Sequence, residues 1–130
     1  MSYYKGEPMK SGMTVQEVKD LPLAKGIPER GLTPDTCKHF GIRSEFSEVD
    51  GKSIAHYFPV TKEGALSGWI RRDLRKPKKE GFSTVGDVSV DCDLLGQANA
   101  PTSKKVFIVE GVYDAPSLYQ ALYDSDWNNK

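Results

Sequence analysis

The sequence predicts an α+β fold: a small antiparallel sheet with a flanking helix, followed by one strand and one helix of an incomplete α/β unit. Two observations carry this prediction. Between residues 42 and 74, stretches suited to strands alternate with turn signals, which is typical of an antiparallel meander. Residues 106–109 then form a continuous apolar run, as in a strand buried on both faces of a parallel sheet, and a segment with helical spacing follows.

The composition fits one ordinary globular domain, with 38% hydrophobic and 28% charged residues among 130. The formal net charge is zero, which argues against strong non-specific attraction to nucleic acid but allows a local basic patch. No apolar run approaches the roughly 20 residues of a membrane span, and no secretion signal is evident. Cys37 and Cys92 lack zinc-site spacing and read as free thiols. We therefore expect a cytoplasmic protein that binds no zinc.

Residues 1–27 are expected to form an N-terminal arm that is flexible in part. Within it, Val15 and Val18 have the spacing of a short helix. Thr14 is placed to cap that helix, and Glu17 stands three residues later, where a capping box requires it. The glycine- and proline-rich stretch that follows predicts an extended linker.

A second short helix is predicted just after this arm. Thr33 can cap its start and Pro34 suits its first turn. The helix should run to about Phe40 and end at Gly41, because glycine readily adopts the left-handed conformation that follows a helix. The sequence thus places one flanking helix directly before the sheet.

The meander is predicted to contain three antiparallel strands, at residues 42–49, 53–60 and 66–74. Asp50 and Gly51 between the first two are a strong hairpin signal. A turn over residues 61–64 separates the second strand from the third.

A basic run begins within the end of the third predicted strand, at residue 71, and continues to residue 79. Six cations within nine residues, next to Ser83 and Thr84, suit contacts with phosphate groups. Equally, the run could be a solvated strand edge, where lysines discourage aggregation. The cations are Arg71, Arg72, Arg75, Lys76, Lys78 and Lys79.

Several aromatic and nucleophilic side chains have both a functional and a structural interpretation. Trp69 and Phe82 could stack on bases, but as aromatics in or beside a sheet they fit the core better. His39, His56 and Cys37 are expected to be structural, because no nucleophile with a partner base is evident.

The segment 106–122 has the clearest site pattern. Its strand places Glu110 at a carboxyl end, where open α/β sheets build sites, and Gly111 leaves room for a ligand or ion. A carboxylate there suits magnesium. Glu110 could also be a strand-end acid facing water, and Asp114 fits a helix N-cap better than a metal ligand.

Residues 106–115 resemble the first motif of TOPRIM domains, which primases, topoisomerases and related nucleases share. The closer resemblance is to the primase region of phage-type primase-helicases, a family that includes mitochondrial Twinkle. There, a stretch similar to residues 30–41 comes first, followed by a strand-rich basic subdomain, a Leu-Phe-Gly-like motif and the TOPRIM strand. In this sequence, residues 68–72, 82–86 and 94–96 stand in that order between the 30–41 stretch and the TOPRIM-like strand.

The resemblance implies a primase-like, strand-rich basic subdomain over residues 28–103 and the first strand and helix of a TOPRIM domain over 104–123. Residues 124–130 are then a tail. It also implies DNA primase ancestry, a role in bacteriophage DNA replication, and binding of single-stranded DNA or nucleotides. In such primases two magnesium ions assist phosphodiester formation. Glu110 would be a catalytic metal ligand, with Asp114 beside it, and the basic run would hold phosphates.

The sequence also departs from this family. The Asp-x-Asp motif that completes the magnesium site is absent, and Asp124 and Asp126 come too early to replace it. A cysteine-rich zinc module and a helicase phosphate-binding loop are absent as well. We therefore expect the chain alone to be inactive or very weak, and to work with the remaining primase or helicase chain or with a host replication protein.

A second hypothesis is a non-catalytic interaction module or inhibitor, derived from a primase, that acts on a replication or topology enzyme. Near-zero net charge and Trp127, a plausible anchor for a protein partner, favour it. A lone TOPRIM strand would also leave an exposed edge, which predicts self-association.

Overall fold

The computed structural model describes residues 9–10, 12–95 and 111–124. Its strands are β1 (Met9–Lys10), β2 (Arg43–Phe46), β3 (Ser53–Lys62), β4 (Ala65–Asp73) and β5 (Phe82–Gly86). Its helices are α1 (Val15–Lys19), α2 (Pro34–Phe40) and α3 (Asp114–Asp124), with a short 3₁₀ turn at Pro28–Arg30. The α+β class is thus confirmed. The strand predicted at residues 106–109 and its exposed edge, Glu110, and Trp127 lie outside the described residues.

The strands form one sheet in the order β1-β5-β4-β3-β2. From β2 to β5 it is an antiparallel meander, and β1 joins the far edge through two residues parallel to β5. The three predicted strands are present, but the first ends at Phe46 rather than at residue 49. Neither β5, the fourth strand of the meander, nor the two-residue strand β1 was predicted.

The two hairpin turns differ in kind. Between β2 and β3 the chain takes a longer loop, closed by the Ser47 N–H donating to the Lys52 carbonyl at 2.8 Å. Between β3 and β4, Glu63 and Gly64 both have positive φ angles, 52° and 82°, as a tight two-residue turn requires. The Asp93 carboxylate accepts the N–H groups of both residues and fixes this turn.

Both upstream helices begin as predicted. Thr14 and Glu17 form the full capping box of α1. The Thr33 hydroxyl accepts the Thr36 N–H at the start of α2, and Gly41 ends it at φ 68°. Short helices of this length gain little from propensity, so these caps and the packing described next hold them.

Side chains that alternate along β3 and β4 divide the core between two faces of the sheet. We call the side carrying Phe58 and Ile70 the helical face, because α2 and the 111–119 segment pack there around Phe40 and Val112. The opposite side is the α1 face. Tyr57, Trp69 and Val85 project from it and pack against Val18 of α1.

The predicted N-terminal arm is part of the folded unit from Met13 onward. Val18 is fully buried, and Ala24 and Ile27 belong to the core of the helical face. The linker also covers the outer edge of β2. There the Ser44 N–H donates to the Pro22 carbonyl at 3.0 Å, and the Ala24 N–H donates to the Ile42 carbonyl at 2.9 Å. This edge is therefore closed to another strand along these residues.

Candidate phosphate-binding surface

The basic run occupies two different settings. Arg71 and Arg72 lie within β4, whereas residues 74–81, which we call the basic loop, connect β4 to β5. The loop is closed by the Asp73 N–H donating to the Gly81 carbonyl at 2.7 Å, and the Leu74 N–H ties it to β3 through the Ile54 carbonyl at 2.9 Å. These backbone hydrogen bonds fix the base of the loop where it leaves the sheet.

Arg72 holds the basic loop from the helical face. Its Nη1 donates to the Asp73 carbonyl and, at 3.1 Å, to the Lys76 carbonyl. The guanidinium carbon lies 5.4 Å from the centre of the Phe82 ring, its cross-strand neighbour. A Cβ on Gly81 would meet Nη1 at 1.8 Å, so only glycine leaves room for this arrangement.

Arg71 points to the α1 face and is neutralised there. Its Nη2 lies 3.2 Å from Glu45 Oε1, and its Nη1 lies 3.2 Å from Asp73 Oδ2. The Tyr57 hydroxyl accepts from Arg71 Nε at 2.9 Å and donates to Glu45 at 2.7 Å. Burial, with the bond to Glu45, raises the pKa of Tyr57 to about 12. Arg71 is thus held in ion pairs with Glu45 and Asp73 and is not free to bind a phosphate.

Asp73 neutralises a second cation of the run. Arg75 Nη2 lies 3.1 Å from Asp73 Oδ2, and the Arg75 N–H donates to Oδ1 at 2.9 Å. Bonds from Arg75, supported by Arg71, hold the pKa of Asp73 well below its usual range. Two of the six cations in the basic run therefore already have carboxylate partners.

Lys76, Lys78 and Lys79 remain exposed on the basic loop. None of the three forms an ion pair with any described residue. Glu80 is the one acidic residue within the loop. The loop therefore carries a local positive charge on a chain whose net charge is zero.

The two predicted hydroxyl ligands lie on opposite faces of β5. Ser83 is half-buried opposite Arg71 on the α1 face. Thr84 is buried, opposite Ile70 on the helical face. β5 therefore does not bring the two hydroxyls to a common point, and Thr84 faces the core.

A polar cluster lies on the helical face beside Arg72. His56 is the cross-strand neighbour of Arg72, and its Nδ1 is 3.0 Å from the Tyr113 hydroxyl. Burial lowers the pKa of His56, which the charges of Arg30 and Arg72 reinforce and that of Glu29 opposes. Burial likewise raises the pKa of Tyr113 to about 12. The pair is therefore a neutral imidazole bonded to a neutral phenol.

Arg30 completes this cluster and was not predicted from the sequence. Its guanidinium carbon lies 4.2 Å from the centre of the Tyr113 ring, a stacked cation–π contact. No local pattern marks Arg30, since 83 positions separate it from Tyr113 and only folding brings the two together. A signal would have required knowing that the 111–114 turn packs on the sheet.

The turn before α3 differs in detail from the prediction. The helix begins at Asp114 itself, and Asp114 Oδ2 accepts the Gly111 N–H at 2.9 Å. A Cβ on Gly111 would lie 2.7 Å from that oxygen, so the lack of a side chain at this position leaves room for the hydrogen bond. Among the described residues no three of His, Cys, Asp or Glu converge on a metal position. Asp114 alone does not make a magnesium site.

The aromatic and nucleophilic side chains singled out in the sequence have packing partners within the fold. Trp69 is buried, and its Nε1 donates to the Val15 carbonyl at 3.2 Å. Cys37 is buried, and burial raises the pKa of its thiol. His39 stacks on Tyr119 with ring centres 4.1 Å apart. Phe82 packs at the border of the core on the helical face.

Searches with family models, among curated proteins and among solved structures give no match to this chain. No helix among the described residues is long and apolar enough to cross a membrane.

Proposed function

We propose that this chain binds phosphate groups of single-stranded DNA or nucleotides through its basic loop, as a primase-like unit of a bacteriophage replication system in the host cytoplasm. The observation that supports it best is the state of the loop lysines. Lys76, Lys78 and Lys79 extend from a loop whose backbone is held by Arg72, and no described acid neutralises them. Unpaired lysines on a fixed loop suit a polyanion.

The charge pattern favours this loop over the rest of the basic run. Arg71 and Arg75 already interact with carboxylates, so binding a phosphate there would first require breaking an ion pair. Binding a phosphate to the loop lysines breaks no ion pair with any described residue. Because counterions are released when lysines neutralise phosphates, affinity should fall as salt rises.

The TOPRIM resemblance implies nucleotidyl transfer for a complete enzyme of that family, in which Glu110 would help to hold magnesium, whereas this chain alone is expected to be inactive or very weak. The role proposed for the described residues is narrower. The basic loop binds the phosphates, and the hydrogen bonds from Arg72 to the Asp73 and Lys76 carbonyls hold the loop in place.

The test is binding of a fluorescent single-stranded oligothymidylate, followed by anisotropy across a salt series. We expect Lys78→Ala/Lys79→Ala to weaken binding and to reduce the slope of log affinity against log salt by about 1.4, since each phosphate contact on single strands contributes about 0.7. The double variant Lys19→Ala/Lys25→Ala removes the same charge from exposed positions outside the loop and should leave the slope close to wild type. Equal behaviour of the two double variants would contradict the proposal.

One observation favours the alternative of a protein-interaction module. Val49, at the tip of the β2–β3 loop, is 95% exposed, and Phe46 before it is 43% exposed. Exposed apolar side chains at a loop tip suit a protein partner more than a nucleic acid. A binding partner lost on Val49→Ser but retained in high salt would support this module, and oligonucleotide binding lost on Lys78→Ala/Lys79→Ala would argue against it.

A further inference from the structure

The start of the basic loop is folded around one acidic side chain, that of Asp73. This residue ends β4 and is 4% exposed. Its Oδ1 accepts the Arg75 N–H at 2.9 Å and Arg75 Nε at 3.1 Å, and its Oδ2 accepts Arg75 Nη2 at 3.1 Å. Oδ2 also accepts Arg71 Nη1 at 3.2 Å, which ties the carboxylate to the sheet. Both carboxylate oxygens therefore hold the chain where the loop begins.

The backbone of Asp73 closes the same loop. Its N–H donates to the Gly81 carbonyl at 2.7 Å, so the two ends of the loop meet at this residue. Its carbonyl accepts Arg72 Nη1 and, at 3.5 Å, the Lys76 N–H. The N–H, the carbonyl and both carboxylate oxygens of Asp73 are thus all bonded to the loop or to the strand that leads into it.

Two of the loop lysines lie at the tip of a turn. The Pro77 carbonyl accepts the Glu80 N–H at 2.9 Å, which makes Lys78 and Lys79 the two central residues of a β-turn. A lysine on a loop that is bonded in this way has fewer conformations to lose when it binds a phosphate. Because the turn follows closely on the Asp73–Arg75 bonds, those bonds determine where the two lysines are presented.

We infer that Asp73 is a positioning residue of the phosphate-binding loop: its carboxylate, although negative, favours binding of a polyanion because it holds the loop lysines in place. This inference rests on the proposed function and names the residue on which the arrangement of that same site depends. Charge alone predicts the opposite effect, since removal of an acid from a basic run should strengthen its attraction to phosphates. The sign of the change in affinity therefore distinguishes the two accounts.

The experiment measures binding of a fluorescent oligothymidylate to Asp73→Ala by anisotropy across a salt series. We expect binding to weaken by about fivefold, because the lysines must then be ordered on binding. The slope of log affinity against log salt should also fall, since fewer lysines reach phosphates at once. A loss of folded protein alone would lower the active fraction but leave this slope unchanged.

Glu80→Gln is the matched control. It removes the same charge from the same loop, and Glu80 forms no ion pair with any described residue. Its binding should be slightly stronger than that of wild type, opposite in sign to Asp73→Ala.

A second variant keeps the test decisive if Asp73→Ala folds poorly in a thermal unfolding measurement. Asp73→Asn keeps an oxygen for the Arg75 N–H but turns an NH₂ group toward the guanidinium donors, so its affinity should lie between those of Asp73→Ala and wild type. In the Lys78→Ala/Lys79→Ala background, Asp73→Ala should cause no further weakening, because it acts through those lysines.

The outcomes separate this inference from the proposed function. If Lys78→Ala/Lys79→Ala weakens binding while both Asp73 variants bind as tightly as wild type or more tightly, the positioning role is wrong and the proposed function stands. The same conclusion follows if Asp73→Ala weakens binding equally with and without the two lysines. If Lys78→Ala/Lys79→Ala binds like wild type, both proposals fail.

Discussion

Gly81 and Arg72 form a matched pair in which the missing side chain of one makes room for the charged group of the other. The guanidinium fills the volume next to the Gly81 Cα and uses it to reach two backbone carbonyls of the loop. The bond to the Asp73 carbonyl is part-buried, so loss of the Arg72 donor there costs free energy, whereas the exposed Lys76 carbonyl can bond to water instead. Loop geometry therefore depends on one glycine.

We expect Gly81→Ala to lower the free energy of unfolding by about 1–3 kcal/mol, because the methyl group displaces Arg72 from the carbonyls it binds. Arg72→Gln should cost a similar amount, and the double variant little more than either, since both changes remove the same bonds. Gly12→Ala is the matched control, because a Cβ there meets no atom within 4 Å. Urea denaturation measures all four. Additive losses would show that the pair does not act as a unit.

At the scale of elements, β4 and β5 come unusually close where each carries a glycine. Gly68 and Gly86 are cross-strand partners, and a Cβ on Gly68 would lie 2.4 Å from the Val85 carbonyl oxygen and 2.7 Å from that of Asp87. These neighbours are backbone atoms, which cannot rotate away as a side chain can. The close approach lets the chain after β5 fold back over the hairpin, where Asp93 fixes the β3–β4 turn.

Gly68→Ala should therefore destabilise the protein by about 3 kcal/mol, the upper part of the range for overpacked sites. Thermal or urea unfolding checks this. Gly12→Ala again serves as control. A loss below about 0.5 kcal/mol, the size typical of neutral surface changes, would mean that the strands separate easily and that the close approach is not essential.

The elements that the sequence predicts well are those with a local chemical signal. Thr14 and Thr33 indicate helix starts because few residue types suit an N-cap, and Gly64, at the end of the turn predicted over residues 61–64, suits a positive φ angle. β5 has no such signal: it is short, flanked by glycines and poor in apolar residues. Its pairing with β4, a tertiary interaction, makes it a strand, so propensity alone could not reveal it.

At the scale of the whole molecule, acid should weaken the fold in two stages. Burial keeps His56 neutral, with a pKa below its ordinary value of 6.5, so the unfolded chain takes up a proton first as the pH falls. Stability is therefore expected to decline below about pH 6.5. Asp73, whose pKa is held low by Arg75 and Arg71, adds a second decline below its ordinary value of 3.8, where the unfolded carboxyl is protonated first.

Urea unfolding at pH 7.5 and at pH 5.5 tests the first stage. His56→Gln should be less stable than wild type at both pH values but should show a smaller difference between them. His39→Gln is the matched control: burial also lowers the pKa of His39, but its ring is exposed, so most of the pH dependence should persist. An unchanged pH dependence in His56→Gln would contradict this account.

The candidate site was predictable only in part, for a reason that belongs to this scale. The basic run is visible in the sequence. Whether one of its cations is free to bind a phosphate, however, depends on the direction in which its side chain projects and on the acidic side chains that it contacts. Arg71 meets Glu45, which is 26 positions away. The guanidinium of Arg30 lies over the ring of Tyr113, which is 83 positions away in the sequence. Long-range contacts of this kind are set by topology, and single-sequence patterns do not contain them.

The attachment of α3 to the opposite end of the described chain also has a consequence for protein synthesis. Gln120 accepts the Thr33 N–H at 2.7 Å and donates to the Gly31 carbonyl, and Val112 and Tyr113 complete the core over Phe58. While residues after the meander are still being synthesised, α2 can already cover part of the helical face, but the apolar surface that Val112 and Tyr113 cover in the folded protein is still exposed. For the interval needed to add residues 87–119, that surface is open to chaperones and to neighbouring nascent chains.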